Sequence, residues 1–390
     1  MLKASVGHSI MANSYEAGKE AISKAMKKVK EPKIVLVFCS VLNKKAEVID
    51  GIRSVIDKKI PIIGCTSSGS IMVPTGNVTS ANGYVGVMLL EDENLTIGMA
   101  GKERIDENPR DIGREVATKA LRNAHTKETP NYCLMIGTPT SEEEYMNGIQ
   151  DIIGDVPIFG CSASDNTIMG DWKVIAGGES FNEGLAVAFF YTNKKIAVEF
   201  NGSYTETYKS GIITKIEGKR KLLEIDGIPA LKKIGMWLNT NPDQLIGTNL
   251  LLSSCNNPIG VKDPLGKMTL VRLPWIGLSD YSIKFGNDLT TNTCIFGLEA
   301  TPDDIILASK EAILNVNEKL GGRAKAYLLF FSLSRKFGLG DRLHEIQNDI
   351  KNIVGSAPFI VVFTFGEYGY GDHTGNLCGT SMMSYIGFGK

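Results

Sequence analysis

Two ten-residue segments of this chain are near copies of each other. Residues 61–70 read PIIGCTSSGS and residues 157–166 read PIFGCSASDN. Pro61, Ile62, Gly64, Cys65 and Ser68 recur as Pro157, Ile158, Gly160, Cys161 and Ser164, a spacing of 96 residues. Self-similarity at a fixed period marks a structural unit used more than once, so the fold has to be assembled from like parts.

The flanks of the two copies agree. A strand-length apolar run precedes each, IVLVFC at 34–39 and YCLMIG at 132–137. A helical stripe follows each run: Val48, Ile49, Ile52, Val55 and Ile56 in the first, and Tyr145, Met146, Ile149, Ile152 and Ile153 in the second. Ser141 with Glu144 reads as a capping box. Both helices stop shortly before the repeat's proline, whose ring disfavours a helical residue ahead of it. An earlier strand and helix open each unit: 5–9 with the Ala17, Ala21, Ile22 and Ala25 face, then 95–100 with Ile112, Val116, Ala117 and Ala120. Apolar strands at 84–90 and 185–190 close them.

The expected unit is β-α-β-α-β-β, and its alternation calls for an α/β protein with mixed sheets covered by helices. Whether the units form one sheet, two, or a layered αββα sandwich is left open. A weaker third copy is expected near the C-terminus, with strands at 294–298 and 327–333, a helix opened by Thr301 and Pro302, and the closing run FIVVFTFGEYG. Residues 205–290 fit no repeat and read as a smaller insertion, with a hairpin around Gly218 and a short helix ending at Leu238. The expected domains are 1–205, holding two units, and 206–390, holding the hairpin-rich segment and the third.

Composition narrows the function. Lys plus Arg is 42 and Asp plus Glu is 43, without the basic excess of a nucleic-acid partner. No apolar run approaches the roughly 20 residues that span a bilayer, and the start lacks a signal peptide's apolar core. A cytoplasmic protein without membrane insertion is expected. Seven cysteines without a CxxC give neither a disulfide scaffold nor a zinc ribbon.

The two glycine-cysteine elements, the segment IEGKRKLLEIDGIPA and the closing PFIVVFTFGEYGYGDHTGNLCGTSMM occur in the order found in the FIST family, and the chain resembles that family over nearly its whole length. The resemblance implies FIST N-like and FIST C-like domains and a sensory role in signal transduction. It implies a small-molecule ligand such as an amino acid, or haem in the manner of a gas sensor. Many relatives are joined to kinase, cyclase or chemoreceptor domains. The chain ends just after its last strand, so a separate output protein is the expected partner. Family members often carry a cysteine ahead of the arginine matched by Arg335, where this chain reads SLSRKFG.

The residues themselves suggest where a ligand would sit. Ligands of open α/β sheets collect beyond the carboxyl ends of strands, where these loops lie. Gly64 and Gly69 let backbone amides approach closely. Cys65, Thr66, Ser67, Ser68 and Gly69, with Cys161, Ser162, Ser164, Asp165 and Asn166, offer amides and hydroxyls for a carboxylate or phosphate and an aspartate for an ammonium group. A second candidate is Glu367 with His373, Thr374 and Asn376, Glu367 facing either a ligand amine or a structural partner, Arg335 or Arg323. A nucleophilic Cys65 or Cys161 would need a base and a lowered pKa, and no histidine is close in sequence. Binding is therefore expected rather than catalysis. A cysteine- or serine-dependent hydrolase of small amides or esters is the alternative. His8 is the candidate haem ligand. Trp172, Trp237 and Trp275 are expected in the core.

Overall fold

The computed structural model describes residues 1–371 and 373–389. Its organising feature is a plan used three times. In the first unit, strand Lys3–Ser9 leads through helix Ser14–Ala25, strand Ile34–Cys39 and helix Lys45–Arg53 to strand Ile62–Thr66. A short hairpin, Ile71–Val73 and Gly76–Val78, then precedes the closing strand Val85–Glu91. The second unit repeats this order from Thr96–Glu103 to Gly184–Tyr191, with its hairpin at Val174–Ala176 and Glu179–Phe181. The third runs from Ile196–Asn201 to Met383–Phe388, with its hairpin at Glu367–Gly371 and Gly375–Gly379.

Local chemistry sets the helix starts. The side chains of Asn13 and Asn108 accept N–H groups of Glu16 and Arg110. Thr301, Pro302 and Asp304 form the expected start of helix Pro302–Leu320, with a complete capping box. Ser141 differs from expectation. It makes no capping hydrogen bond, and Glu144 reaches Lys219 instead.

Within each unit the first and second strands lie antiparallel to the last, and the second lies parallel to the third. The outer edge of the third strand is completed by another unit. The second unit's hairpin extends the first sheet, the third unit's extends the second, and the first unit's extends the third. This exchange closes a ring of three six-stranded sheets.

The inner faces of all three share one apolar core, including Phe38 and Cys65, Phe159 and Cys161, and Phe330 and Val362. The outer faces are covered by each unit's own helices. Burial on both faces explains the near-continuous apolar strands.

Residues between Asn201 and Pro302 interrupt the third unit and build a separate antiparallel sheet with its own core. Strands Thr205–Glu217 and Lys221–Ile225 form the expected hairpin around Gly218. Strand Cys294–Glu299 does not open the third copy. It pairs with Thr205–Glu217 and Ile259–Lys262 inside the insertion. Ile196–Asn201, beside Met383–Phe388, holds that place, separated from its own helix by the whole insertion.

The insertion is fastened to the second unit by Arg220. Its guanidinium pairs with Glu142 at 2.9 Å, Glu143 at 2.5 Å and Asp288 at 2.8 Å, and donates to the Gly286 carbonyl. Glu142 is buried. Removing one partner of a buried ion network strands the others, which costs about 3–5 kcal/mol. Arg220→Ala is expected to lower the unfolding free energy by about 3 kcal/mol in urea titrations.

Candidate functional site

The duplicated loops meet. The Cys65 and Cys161 sulfurs are 3.9 Å apart in the central core. The Ser164 N–H donates to the Thr66 carbonyl at 3.1 Å, and the Gly69 N–H donates to Asn166 Oδ1 at 2.9 Å. The third unit arrives at the same point, where the Phe363 carbonyl accepts from the Ser68 N–H and from Ser164 Oγ.

Most of the polar atoms expected to face a ligand are engaged within the protein. Thr66 Oγ1 accepts the Lys173 N–H. Ser67 Oγ donates to the Ser70 carbonyl and accepts the Phe363 N–H. Ser162 Oγ donates to Glu142 at 3.0 Å and lies 2.8 Å from the Tyr368 hydroxyl. The buried Asp165 carboxylate accepts the N–H groups of Thr167, Ile168, Gly170 and Asp171, so it shapes its own loop. Asn376 braces a strand end by accepting the Ile158 N–H and donating to the Val156 carbonyl.

Both thiols are fully buried. Burial, with the Cys65 sulfur beside it, pushes the Cys161 thiol well above its ordinary pKa. That is the reverse of what a thiolate nucleophile needs.

Unsatisfied chemistry lies beyond the carboxyl ends of the third unit's parallel strands, Ala326–Ser332 and Phe359–Thr364, on the short helix Leu333–Leu339. Arg335 is 0% exposed. Its Nε donates to the Ser381 carbonyl at 2.9 Å, and its guanidinium carbon lies 5.1 Å from the Tyr204 ring centroid. Among the described residues neither terminal nitrogen has a hydrogen-bond partner. The expected pairing with Glu367 is not made as a hydrogen bond or ion pair. Glu367 instead accepts from Thr364 Oγ1 at 2.8 Å and the Met382 N–H at 3.0 Å. Burial pushes its pKa up to about 8, so the carboxyl is largely protonated at neutral pH.

Lys336, absent from the expected set, is the next residue on the helix. Its Nζ donates to Ser70 Oγ at 2.8 Å and lies 4.3 Å from the Phe363 ring centroid, which brings it to the first duplicated loop. Burial lowers its pKa to about 8, and it makes no ion pair among the described residues. The only signal in the sequence is its place beside Arg335 in SLSRKFG.

Ser334 and Ser381 are joined through their hydroxyls, and Ser381 also meets the Tyr204 hydroxyl. A small cavity of about 20 Å³ is lined by Ser332, Ser334, Thr364, Phe365, Trp275 and Ile168, among others. It has room for about one water molecule. Trp172 and Trp275 meet Phe365 edge-on, at 5.8 and 6.1 Å between centroids. The Trp172 N–H has no hydrogen-bond partner among the described residues. Ile168 and Ser381 adopt left-handed φ values of 61° and 60°. Such residues cost about 1–3 kcal/mol each and collect at ligand clamps and switches.

His8 lies away from this site, in a groove between the first and third sheets, while His125, His344 and His373 are exposed. Among the described residues no group of three His, Cys, Asp or Glu side chains could hold a metal ion. No helix among them is long and apolar enough to cross a membrane.

No curated protein matches the sequence. Two solved structures of cyanuric acid hydrolase, one from A. caulinodans, align over 100% of both chains, at 8% and 10% identity and TM-scores of 0.37 and 0.35. At those scores neither likeness bears on what this chain does. The FIST N domain matches residues 33–228 and the FIST C domain matches residues 230–370. Together the two matches cover most of the chain, which belongs to the FIST family of small-ligand-binding sensor domains of signal transduction.

Proposed function

We propose that this chain is a cytoplasmic sensor that binds a carboxylate-bearing metabolite, with amino acids as the first class to test, and does not transform it. The observation that carries the reading is Arg335, a wholly buried guanidinium whose two terminal nitrogens have no hydrogen-bond partner among the described residues. An unpaired buried charge costs several kcal/mol, and a ligand carboxylate taken bidentately would relieve that cost. Glu367, Ser334 and Ser381 supply hydroxyl and carboxyl groups nearby for an amino group. Lys336 extends the cationic side towards Ser70.

The adjoining cavity is too small for a metabolite, so binding requires the loop at Ile168 or the inserted segment at Trp275 to move. That motion is the signal a separate output protein, such as a kinase, cyclase or chemoreceptor, would read. Binding without turnover is supported by the buried thiols.

A thermal-shift screen of amino acids and small carboxylates tests the proposal. At a hundredfold excess over Kd, the ligand is expected to stabilise the protein by about 2.7 kcal/mol. Arg335→Met is expected to remove the shift while the unliganded protein remains folded, because methionine fills the site without a charge. A wild-type protein that responds to no member of the panel at millimolar concentration contradicts the proposal.

A further inference from the structure

The three sheets meet at three junctions, where the first strand of one sheet faces the hairpin added to its neighbour. His8, Gly101 and Phe200 hold the same register on the three first strands. Val73, Ala176 and Gly369 hold the same register on the three hairpins.

Two junctions are closed, each through a glycine. A side chain at Gly101 would place its Cβ 2.3 Å from the Ala176 Cβ, and one at Gly369 would place its Cβ 2.3 Å from the Phe200 Cβ. The third junction has no glycine in either place. His8 and Val73 both carry bulk, and they line an open groove of about 490 Å³.

That volume falls within the roughly 300–1,000 Å³ of small-molecule sites. The apolar lining is Ala4, Val6, Val73, Pro74 and Pro358. Lys24, in the last turn of helix Ser14–Ala25, and Lys27 and Lys28, just beyond its end, stand along the rim, and among the described residues no carboxylate lines the groove. Lys24 pairs with Glu20 and donates to the His8 carbonyl. Lys27 and Lys28 are exposed and make no ion pair among the described residues.

We propose that this open junction is a second binding site, separate from Arg335, for an amphipathic anion: an apolar body in the cleft and a carboxylate at Lys27 and Lys28. The absence of acidic lining and the unpaired lysines set the sign of the head group. The apolar floor sets the nature of the body.

Isothermal titration of the full-length chain with decanoate, and in parallel with uncharged 1-decanol, tests this. The wild type is expected to bind one decanoate per chain. Lys27→Glu with Lys28→Glu, both at exposed positions, is expected to weaken decanoate at least tenfold and leave decanol unchanged. The same reversal at Lys58 and Lys59, which line no part of the groove, is expected to change neither. Ala4→Trp, which fills the cleft from a half-buried position, is expected to abolish both. No saturable decanoate binding, binding that survives Ala4→Trp in a folded protein, or equal weakening by the remote reversal overturns the proposal.

Discussion

Gly64→Ala is expected to abolish soluble folding or to cost at least about 4 kcal/mol, a loss reached only by a few mechanisms such as severe overpacking. A Cβ there would lie 1.7 Å from the Val37 carbonyl oxygen and 2.6 Å from its carbon. Both belong to the backbone of the neighbouring parallel strand, which is wholly buried and paired on both sides, so it has nowhere to move. The second copy has the same crowding, with a Cβ at Gly160 falling 1.8 Å from the Met135 carbonyl oxygen. The glycine of the repeated element is therefore required by close strand approach. Soluble yield and urea unfolding check this. Gly178→Ala, where nothing lies within 4 Å, is the control and should cost no more than about 1 kcal/mol.

Glu367→Gln is expected to flatten the pH dependence of stability and to make the protein more stable than the wild type at pH 8. Burial raises the Glu367 pKa from 4.5 to about 8 in the folded chain. Below pH 4.5 the carboxyl is protonated in both states. Above it the unfolded chain releases the proton while the folded chain keeps it, so stability falls as pH rises and is lost through about pH 8. The full interval is of the order of 4–5 kcal/mol. Glutamine keeps the shape, accepts the Met382 N–H and donates to Thr364 Oγ1 without titrating. Urea unfolding at pH 5 and pH 8 should show a steep wild-type difference and a much smaller one in the variant. A wild type as stable at pH 8 as at pH 5 contradicts the buried neutral carboxyl.

The parts of the fold written as long periodic runs were legible. The strands at 34–39 and 132–137 stand where their spacing placed them, and so do the helical stripes beside them, except that the first helix stops at Arg53, short of Val55 and Ile56. The exchanged hairpins were not, because strands such as Ile71–Val73 and Gly76–Val78 are too short to show a period. Ile196–Asn201 was not seen as the third unit's opening because its partner, Met383–Phe388, lies at the far end of the chain.

The site was legible in part. The duplicated serines and Asp165 stood out by composition, but that their hydrogen bonds turn inward is a property of the folded chain. Arg335 came from family likeness, and Glu367 from its place at the close of an apolar strand. That one is left unpaired and the other neutral depends on burial, which a single sequence does not encode locally. Lys336 carried no mark beyond its neighbour.

The borrowed hairpins have a consequence for how the molecule comes apart. No unit can leave the ring without exposing a bare sheet edge on its neighbour and carrying off a strand pair with no partner. Excising one repeat should therefore yield an insoluble fragment, and the three should melt as a single body. Each sheet depends on a strand pair lent by another unit, so a disturbance admitted at one seam is expected to reach the other two.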